Sequence, residues 1–179
     1  MTIRLRTAHT ADLTPAELRA VRTFLDDAFE GDFSDEDWDH GLGGMHALVH
    51  DGTGLAAHGS VVMRRVLHRG RSLRTGYVEA VAVRADVRRT GLGGRIMAAL
   101  EEVVDRAYAL GALSASEAGA ALYTARGWQV WPGRISALGP DGIVRLPDEE
   151  GTTFVRPASA GHLDPSRDLT FDWRDGDVL

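Results

Sequence analysis

The chain of 179 residues is long enough for one domain with a sizeable core, and its 44% hydrophobic and 26% charged residues are typical of a globular protein. The absence of cysteine excludes disulfides, thiolate metal sites and a cysteine nucleophile. Twenty basic and 26 acidic residues give a net charge of −6, which argues against nucleic acid as a partner and suits a cationic ligand.

The N-terminal part of the chain predicts a strand, a helix and a loop. Residues 1–6 contain no run typical of a signal peptide, no later stretch has the length of a membrane span, and residues 3–6 predict the strand. Thr14-Pro15-Ala16-Glu17 is a capping box with proline at the first helical position. The following helix should bury one apolar face, formed by Leu18, Val21, Phe24, Leu25 and Phe29. The acidic residues 31–40 predict a loop.

The rest of the chain predicts strands around two further helices. Residues 45–51, 55–68 and 76–84 predict strands, and an amphipathic helix follows the Gly-rich residues 91–94 and should end at Gly111. A strand at 112–115, a helix at 116–126, a turn at Gly139-Pro140-Asp141-Gly142 and a strand at 152–155 follow. This order predicts a single α/β (α+β) domain, residues 1–179, built on a mixed sheet.

A Gly-rich segment between a predicted strand and a predicted helix is a candidate anion site. It reads Arg88-Arg89-Thr90-Gly91-Leu92-Gly93-Gly94. Glycines allow a phosphate to approach the backbone closely, and the free N–H groups and dipole of a helix start favour an anion. A dinucleotide fingerprint would need glycine at Ile96, and the Gly-Lys-Ser/Thr of a P-loop is absent. The segment therefore predicts a phosphate-binding loop, with a merely flexible helix entry as the alternative.

The strand at 78–83, the spacing Arg88-x-x-Gly91-x-Gly93 and the long helix together resemble the acetyl-CoA signature of the GNAT superfamily. The resemblance implies a central mixed, mostly antiparallel sheet flanked by helices, with acetyl-CoA as co-substrate. It implies that the pyrophosphate binds to Arg88, Arg89, Thr90, Gly91, Leu92, Gly93 and Gly94. The pantetheine would pair with the backbone of Val81, Ala82 and Val83. The strand would splay near Val81, whose N–H would face the thioester oxygen and stabilise charge in the transition state.

Two side chains are candidates for acid–base chemistry. The helix ending Leu122-Tyr123-Thr124-Ala125-Arg126-Gly127-Trp128 is similar to a GNAT motif whose tyrosine protonates the leaving thiolate, which implies that role for Tyr123. Half-buried packing is the alternative. Glu79 interrupts an apolar strand and shares the parity of Val81 and Val83, which indicates that it does not simply face solvent. Its carboxylate would hold the acceptor amine and take its proton, directly or through water.

A closer resemblance concerns segments outside the cofactor motif. They are Gly31-Asp32-Phe33, Asp37-Trp38-x-His40, residues 42–48, residues 76–79, residues 111–114, residues 126–128 and residues 172–178. Together they look like the aminoglycoside 2′-N-acetyltransferases, from about Thr10 onward. The resemblance implies that Asp32, Glu79, Ser114, Asp148, Glu149 and Asp177 contact the antibiotic. Glu149 stands where the family has aspartate, and Leu179 where it has tryptophan.

These patterns predict an acetyl-CoA-dependent acyltransferase that modifies an aminoglycoside and so confers resistance. Two alternatives are a GNAT enzyme acting on a polyamine, a peptide N-terminus or a lysine, and a non-catalytic module that binds CoA or a drug. His40, His46 and His50 suggest a metal, but their spacing fits no familiar zinc pattern, and we expect none. We expect a cytoplasmic protein without nucleic-acid or membrane partners, and the resemblance implies a homodimer.

Overall fold

The computed structural model describes residues 3–179; the predictions for Met1 and Thr2, where the predicted domain begins, lie outside the described residues. The chain divides into two compact units. One consists of the chain up to Val62 together with Val78–Val103, and the other of Met63–Tyr77 with Val104–Leu179. In the part described, no helix is long and apolar enough to span a membrane. The single domain remains a prediction.

The first unit contains an antiparallel set of strands and three helices. Its elements are β1 (Arg4–His9), α1 (Pro15–Ala28), α2 (Asp35–His40), β2 (Met45–Asp51), the first part of β3 (Gly54–His68), the last part of β4 (Arg71–Val83) and most of α3 (Leu92–Ala107). Strand β2 pairs antiparallel with both β1 and β3, with a register shift between Val49 and His50. The predicted strands and long helices of this region are therefore present, with β4 beginning five residues earlier than predicted.

Helix α1 begins where the capping box predicts. The Thr14 side chain accepts from the Glu17 N–H, and the Glu17 carboxylate accepts from the Thr14 N–H at 2.8 Å. Two of the donors that a helix start leaves unpaired are thus satisfied. Val21 and Leu25 bury the predicted apolar face against the sheet, whereas Phe29 caps the helix and is 37% exposed.

The prediction of a loop over residues 31–40 was wrong in its second half. Residues 35–40 form α2, because Ser34 and Asp37 make a second capping box in which Ser34 accepts from the Asp37 N–H at 3.0 Å. Arg22 of α1 donates to Asp35 at 2.9 Å and to the Phe33 carbonyl. The acidic composition of this segment led to the prediction of a loop. The helix nevertheless forms, because the cap and the Arg22 cation stabilise the three acidic residues of its first turn.

Helices α1 and α3 cover opposite faces of the sheet in the first unit. Leu48 of β2 belongs to the apolar cluster of α1. Its neighbour Ala47 pairs with Gly59 of β3, and a Cβ at Gly59 would lie 2.7 Å from Ile96 and 3.1 Å from Leu100 of α3. Because successive residues of a strand point to opposite faces, the two helices lie on different sides. Gly59 allows α3 to approach the sheet this closely.

The second unit contains a mixed sheet. Its further elements are β5 (Leu110–Ser114), α4 (Glu117–Ala125), β6 (Gln129–Val130), β7 (Ile135–Gly139), β8 (Gly142–Arg145), β9 (Thr153–Pro157) and β10 (Leu169–Asp172). The strand order is β6-β9-β5-β4-β3-β10-β7-β8. β5 pairs parallel with β4 and β7 with β10, while the other strand pairs described are antiparallel. The predicted fold class, a mixed and mostly antiparallel sheet with flanking helices, is confirmed.

Two turn predictions in this unit had different outcomes. Gly139 and Gly142 close the hairpin of β7 and β8, as predicted. Gly111, however, does not end α3, which stops at Ala107; Gly111 lies inside β5. A Cβ at Gly111 would lie 3.0 Å from both Trp128 and Val104, so this glycine serves close packing rather than a helix cap.

Candidate active site

The predicted phosphate-binding loop lies between β4 and α3 in the first unit. Arg89 and Gly91 both have positive φ, 62° and 88°, and Gly91 accepts the first helical hydrogen bond, from the Arg95 N–H. The N–H groups of the first turn of α3, which include those of Gly93 and Gly94, have no intrahelical partner and carry the positive end of the helix dipole. Glycine at 91 and exposed Arg88 and Arg89 therefore fit a phosphate anion.

Two hydrogen bonds hold the loop in shape. Arg88 donates from Nε to the Val83 carbonyl at 3.2 Å, which fixes the loop to the end of β4. Thr90 donates from Oγ1 to the Val87 carbonyl at 2.6 Å. The side chain of Leu92 is buried, so only its backbone could contact a ligand. The loop predicted to hold the cofactor is thus fixed at Arg88 to Val83, the last residue of β4.

The most unusual backbone position of β4 lies between the predicted base and the predicted oxyanion donor. Ala80 has φ of 49°, one of four described non-glycine residues with positive φ. A left-handed conformation costs an L-residue about 1–2 kcal/mol and interrupts the alternation of a strand. This is where the resemblance placed the splaying of the strand, and it leaves Glu79, Ala80 and Val81 all half-buried.

The parity argument made for Glu79 does not hold. It assumed that Glu79, Val81 and Val83 share one face, but the positive φ of Ala80 shifts the alternation between the first two. Val78 and Ala82 are buried, while Val81 and Val83 are only half-buried. The inference that the Glu79 side chain is not simply solvent-facing agrees with its half-buried position, for a different physical reason.

Asp32, the other predicted substrate residue of the first unit, follows α1 in an exposed turn. Its N–H donates to the Phe29 carbonyl at 3.0 Å, and its side chain is exposed. Arg22 braces the following segment through Asp35 and the Phe33 carbonyl, and its guanidinium lies over the rings of Phe33 and Trp38. The loop is thus held in place without neutralising Asp32 directly.

In the second unit, Tyr123 lies in the last turn of α4. Its ring is 8% exposed and packs against Trp128 and Phe154, at centroid distances of 6.5 and 6.0 Å. Burial raises the pKa of Tyr123 to about 12. Within residues 3–179 its hydroxyl makes no hydrogen bond. The group is therefore a protonated donor at neutral pH.

Three predicted substrate residues of this unit are Ser114, Asp148 and Glu149. Ser114, at the end of β5, donates from Oγ to the Glu149 carboxylate at 2.7 Å, and Thr152 donates to the same oxygen at 3.3 Å. Asp148 adjoins Glu149 in the exposed turn Pro147–Glu149. The structure thus brings the Glu149 carboxylate and the Ser114 hydroxyl together at one end of β5, with Asp148 next in the chain, and such groups can bind ammonium and hydroxyl groups.

Asp177 lies in a C-terminal segment held by a buried cation that the sequence analysis did not identify. Arg64 is 4% exposed, and it donates to the Asp172 carboxylate at 2.8 Å and to the Val178 carbonyl at 2.6 Å. Its guanidinium lies 4.9 Å from the Tyr77 ring centroid. The carboxylate of Asp177 itself is exposed. In the described chain, no hydrogen bond joins Tyr123 or Asp177 to the Ser114–Glu149 pair.

The histidines of β2 form an arrangement that sequence reasoning missed. The register of β2 with β1 is continuous from Met45 to His50, so alternation places His46 and His50 on the same face of the strand. His46 contacts His58 of β3, at 3.0 Å between Nδ1 and Nε2. Both rings are 1% exposed. Across residues 3–179, no group of three potential metal ligands comes together.

Comparison with known proteins agrees with the fold. Residues 9–131 match the family described as "Acetyltransferase (GNAT) domain". The chain therefore belongs to the GNAT family and is an acyltransferase that uses acetyl-CoA. Solved structures share its fold. Escherichia coli YhbS in complex with CoA has a TM-score of 0.67 at 17% identity, covering 94% of this chain and 89% of that one. E. coli ElaA has a TM-score of 0.60 at 17% identity, covering 87% and 99%.

One relative shows to which group within the GNAT family the chain belongs. The chain is 49% identical over 176 residues to the aminoglycoside 2′-N-acetyltransferase of Mycolicibacterium fortuitum. The match covers 97% of this chain and 90% of the relative. The identity extends well beyond the cofactor motif, so the chain belongs among the aminoglycoside 2′-N-acetyltransferases.

Proposed function

We propose that this chain transfers the acetyl group of acetyl-CoA to the 2′-amino group of aminoglycoside antibiotics and so confers resistance. The observation that carries the proposal is the 49% identity over 97% of the chain to an enzyme of that name. The adjacent acidic residues Asp148 and Glu149 and the net charge of −6 agree with a polycationic acceptor.

The roles of the cofactor residues follow from the backbone of the first unit. The first turn of α3 and the loop at Arg88 and Gly91 bind the pyrophosphate, and the backbone of Val81–83 pairs with the pantetheine. The Val81 N–H faces the thioester oxygen and stabilises the negative charge that develops there as the amine attacks the carbonyl carbon. Acetyl-CoA supplies the activated acyl group, and the protein supplies position and hydrogen bonds.

Protons are handled by Glu79 and Tyr123. An alkylamine with a pKa near 10 loses its proton at neutral pH at a cost of about 4 kcal/mol. Holding the amine against the thioester can supply roughly 7–11 kcal/mol, so position contributes more than the base. Glu79 takes the amine proton, directly or through water, and Tyr123 donates its hydroxyl proton to the thiolate as the carbon–sulfur bond breaks. Asp32, Ser114, Asp148, Glu149 and Asp177 bind the other amines and hydroxyls of the antibiotic.

A substrate panel tests the proposal. Tobramycin carries an amine at the 2′ position, where the otherwise similar kanamycin A carries a hydroxyl. Both are polycations, so general attraction to acidic loops does not distinguish them. We expect CoA release with tobramycin, gentamicin and neomycin, and essentially none with kanamycin A or amikacin. Equal turnover of tobramycin and kanamycin A would show acetylation at another amine, and turnover only of polyamines or peptides would replace the aminoglycoside by those acceptors.

Three further properties belong to the same proposal. We propose a homodimer, because β8 is an edge strand that exposes Ile143 at 68% and Val144 at 44%, an apolar surface suited to a second copy. Light scattering after gel filtration tests this by measuring the molar mass of the protein in solution. The reaction uses no metal, so dialysis against EDTA should leave the rate unchanged. We propose a cytoplasmic location, where acetyl-CoA is available, which cell fractionation tests.

A further inference from the structure

A chain of three hydrogen bonds crosses the first unit beneath α1. Thr10 Oγ1 lies 2.8 Å from His46 Nε2, His46 Nδ1 lies 3.0 Å from His58 Nε2, and His58 Nδ1 lies 3.0 Å from the carbonyl oxygen of Ala80. The chain thus runs from the turn after β1, through buried rings on β2 and β3, to the one residue of β4 with positive φ.

The carbonyl at the end determines the direction of every bond in the chain. A carbonyl oxygen only accepts, so His58 Nδ1 carries a proton and donates it to Ala80. For a neutral ring, His58 Nε2 then accepts from His46 Nδ1, and His46 Nε2 accepts from the Thr10 hydroxyl. Burial lowers the pKa of His46 to about 4 and that of His58 to about 3, so both rings are neutral at pH 7. One tautomer of each ring satisfies all its polar atoms.

The Thr10 end of the chain is fixed to the backbone. Thr10 Oγ1 accepts from the Gly43 N–H at 2.9 Å, and the Thr10 N–H donates to the Gly44 carbonyl at 2.9 Å. Gly44 in turn is packed so closely against β3 that a Cβ there would overlap the Val61 carbonyl. His46 is therefore held by Thr10, and His58 by His46, and Thr10 itself is fixed by hydrogen bonds to the backbone.

The chain stabilises a backbone conformation that is unfavourable by itself. A left-handed alanine persists only where its surroundings stabilise it, and a buried carbonyl without a partner costs about 1–3 kcal/mol. His58 supplies that partner at Ala80. The rotation of the peptide group after Ala80 determines where the Val81 N–H points, because the Ala80 carbonyl and the Val81 N–H belong to one rigid plane.

We propose that His58, supported by His46 and Thr10, is a positioning residue that directs the Val81 N–H toward the thioester oxygen. The inference rests on the proposed function, in which that N–H stabilises the developing charge. His58 does not contact the substrate; it acts through the shared peptide plane of Ala80 and Val81. Loss of its donor therefore lowers kcat and leaves the binding of CoA, which lacks the thioester carbonyl, nearly unchanged.

Nitrogen NMR of the histidine side chains tests the arrangement without any reaction. With all seven histidines labelled with ¹⁵N, we expect His46 and His58 to carry the proton on Nδ1 and to stay neutral as the pH falls to 5. His68, whose Nδ1 donates to the Asp168 carbonyl, gives a third ring with the proton on Nδ1. His46→Asn and His58→Asn assign the two signals. Protons on Nε2, or charged rings at pH 7, would overturn the inference.

Two substitutions at one position separate positioning from packing. In His58→Asn the side-chain amide nitrogen replaces Nδ1 as donor to the Ala80 carbonyl, whereas His58→Leu has no donor. We expect kcat to fall about tenfold to a hundredfold in His58→Leu and to recover to within a few fold in His58→Asn. The acetyl-CoA KM and the CoA Kd should change less than threefold. His50→Asn, half-buried on the same strand as His46 but outside the chain, is the matched control.

The outcomes distinguish this inference from the proposed function. If the wild-type protein acetylates no amine, the proposed function fails. The NMR signal of the Val81 N–H still reports whether His58 directs that group toward the thioester oxygen. That signal should shift when acetyl-CoA replaces CoA in wild type and in His58→Asn, and not in His58→Leu or, if that variant does not fold, in His58→Ala. Equal kcat in His58→Leu, His58→Asn and wild type overturns the inference, as does an equal loss in both variants.

Discussion

Replacement of Tyr123 by phenylalanine separates proton donation from packing unusually well. The ring is buried against Trp128 and Phe154, and within the described residues the hydroxyl makes no hydrogen bond. Tyr123→Phe keeps the ring and breaks no internal hydrogen bond, so the free energy of unfolding should change by no more than about 0.5 kcal/mol. If Tyr123 is the acid, kcat should fall by about 10²–10⁴, which corresponds to roughly 2.7–5.4 kcal/mol of barrier.

The pH dependence gives a second measure. Because burial raises the pKa of Tyr123 to about 12, the hydroxyl stays protonated, and able to donate, from pH 6 to 9. The loss in Tyr123→Phe should therefore be uniform over that range. Folded Tyr123 binds its proton more tightly than the unfolded residue, whose pKa is about 10, so this group reduces stability only above about pH 10.

The assay is thiol release from acetyl-CoA with saturating tobramycin, next to urea unfolding of the same samples. Tyr108→Phe is the control: Tyr108 is half-buried in the second unit, where its ring covers Gly76. Full kcat of Tyr123→Phe across the pH range, or a loss no larger than that of Tyr108→Phe, would show that Tyr123 only packs.

Three further changes have expected results. Gly93→Val should raise the acetyl-CoA KM tenfold or more, because the added side chain occupies space where the pyrophosphate approaches. Gly93 lies in the first turn of α3 and is not among the glycines with positive φ, so valine does not strain the backbone there. Ser114→Ala removes a 2.7 Å hydrogen bond to a carboxylate and should raise the tobramycin KM by about three- to tenfold. Below pH 6.5 the unfolded chain protonates His46 and His58 while the folded one does not, so urea unfolding should show stability falling by about 1.4 kcal/mol per pH unit for each, down to their folded pKa values.

Each of these has a control and a contradicting result. Gly52→Val, at an open turn between β2 and β3, should leave the acetyl-CoA KM unchanged, and an unchanged KM in folded Gly93→Val would remove the loop from the cofactor site. Ser159→Ala is the control for Ser114→Ala. Ser114→Ala should leave the acetyl-CoA KM unchanged, and an equal rise in its tobramycin KM and its acetyl-CoA KM would contradict a substrate-binding role for Ser114. His58→Asn should halve the pH slope, and a stability independent of pH between 5 and 6.5 would contradict buried neutral rings.

Local patterns determined much of this protein. The capping box of Thr14 and Glu17, the hairpin at Gly139 and Gly142 and the loop from Arg88 to Gly94 depend on residues a few positions apart, and they appear in the structure where the sequence places them. The capping box of Ser34 and Asp37 is equally local and could have been found, but the acidic composition directed the interpretation to a loop. The family was also readable from sequence, since its motifs are short and spread over the chain.

Only the tertiary structure decided how the strand backbone and the binding side chains are held. The positive φ of Ala80 is stabilised by a ring 22 residues away, and the C-terminal segment is fixed by Arg64 through Asp172, 108 residues away. No local propensity places an alanine in the left-handed region, and an arginine in a strand does not by itself indicate burial. Such features require partners from distant parts of the chain, because buried polar groups are stable only where the fold supplies their hydrogen bonds.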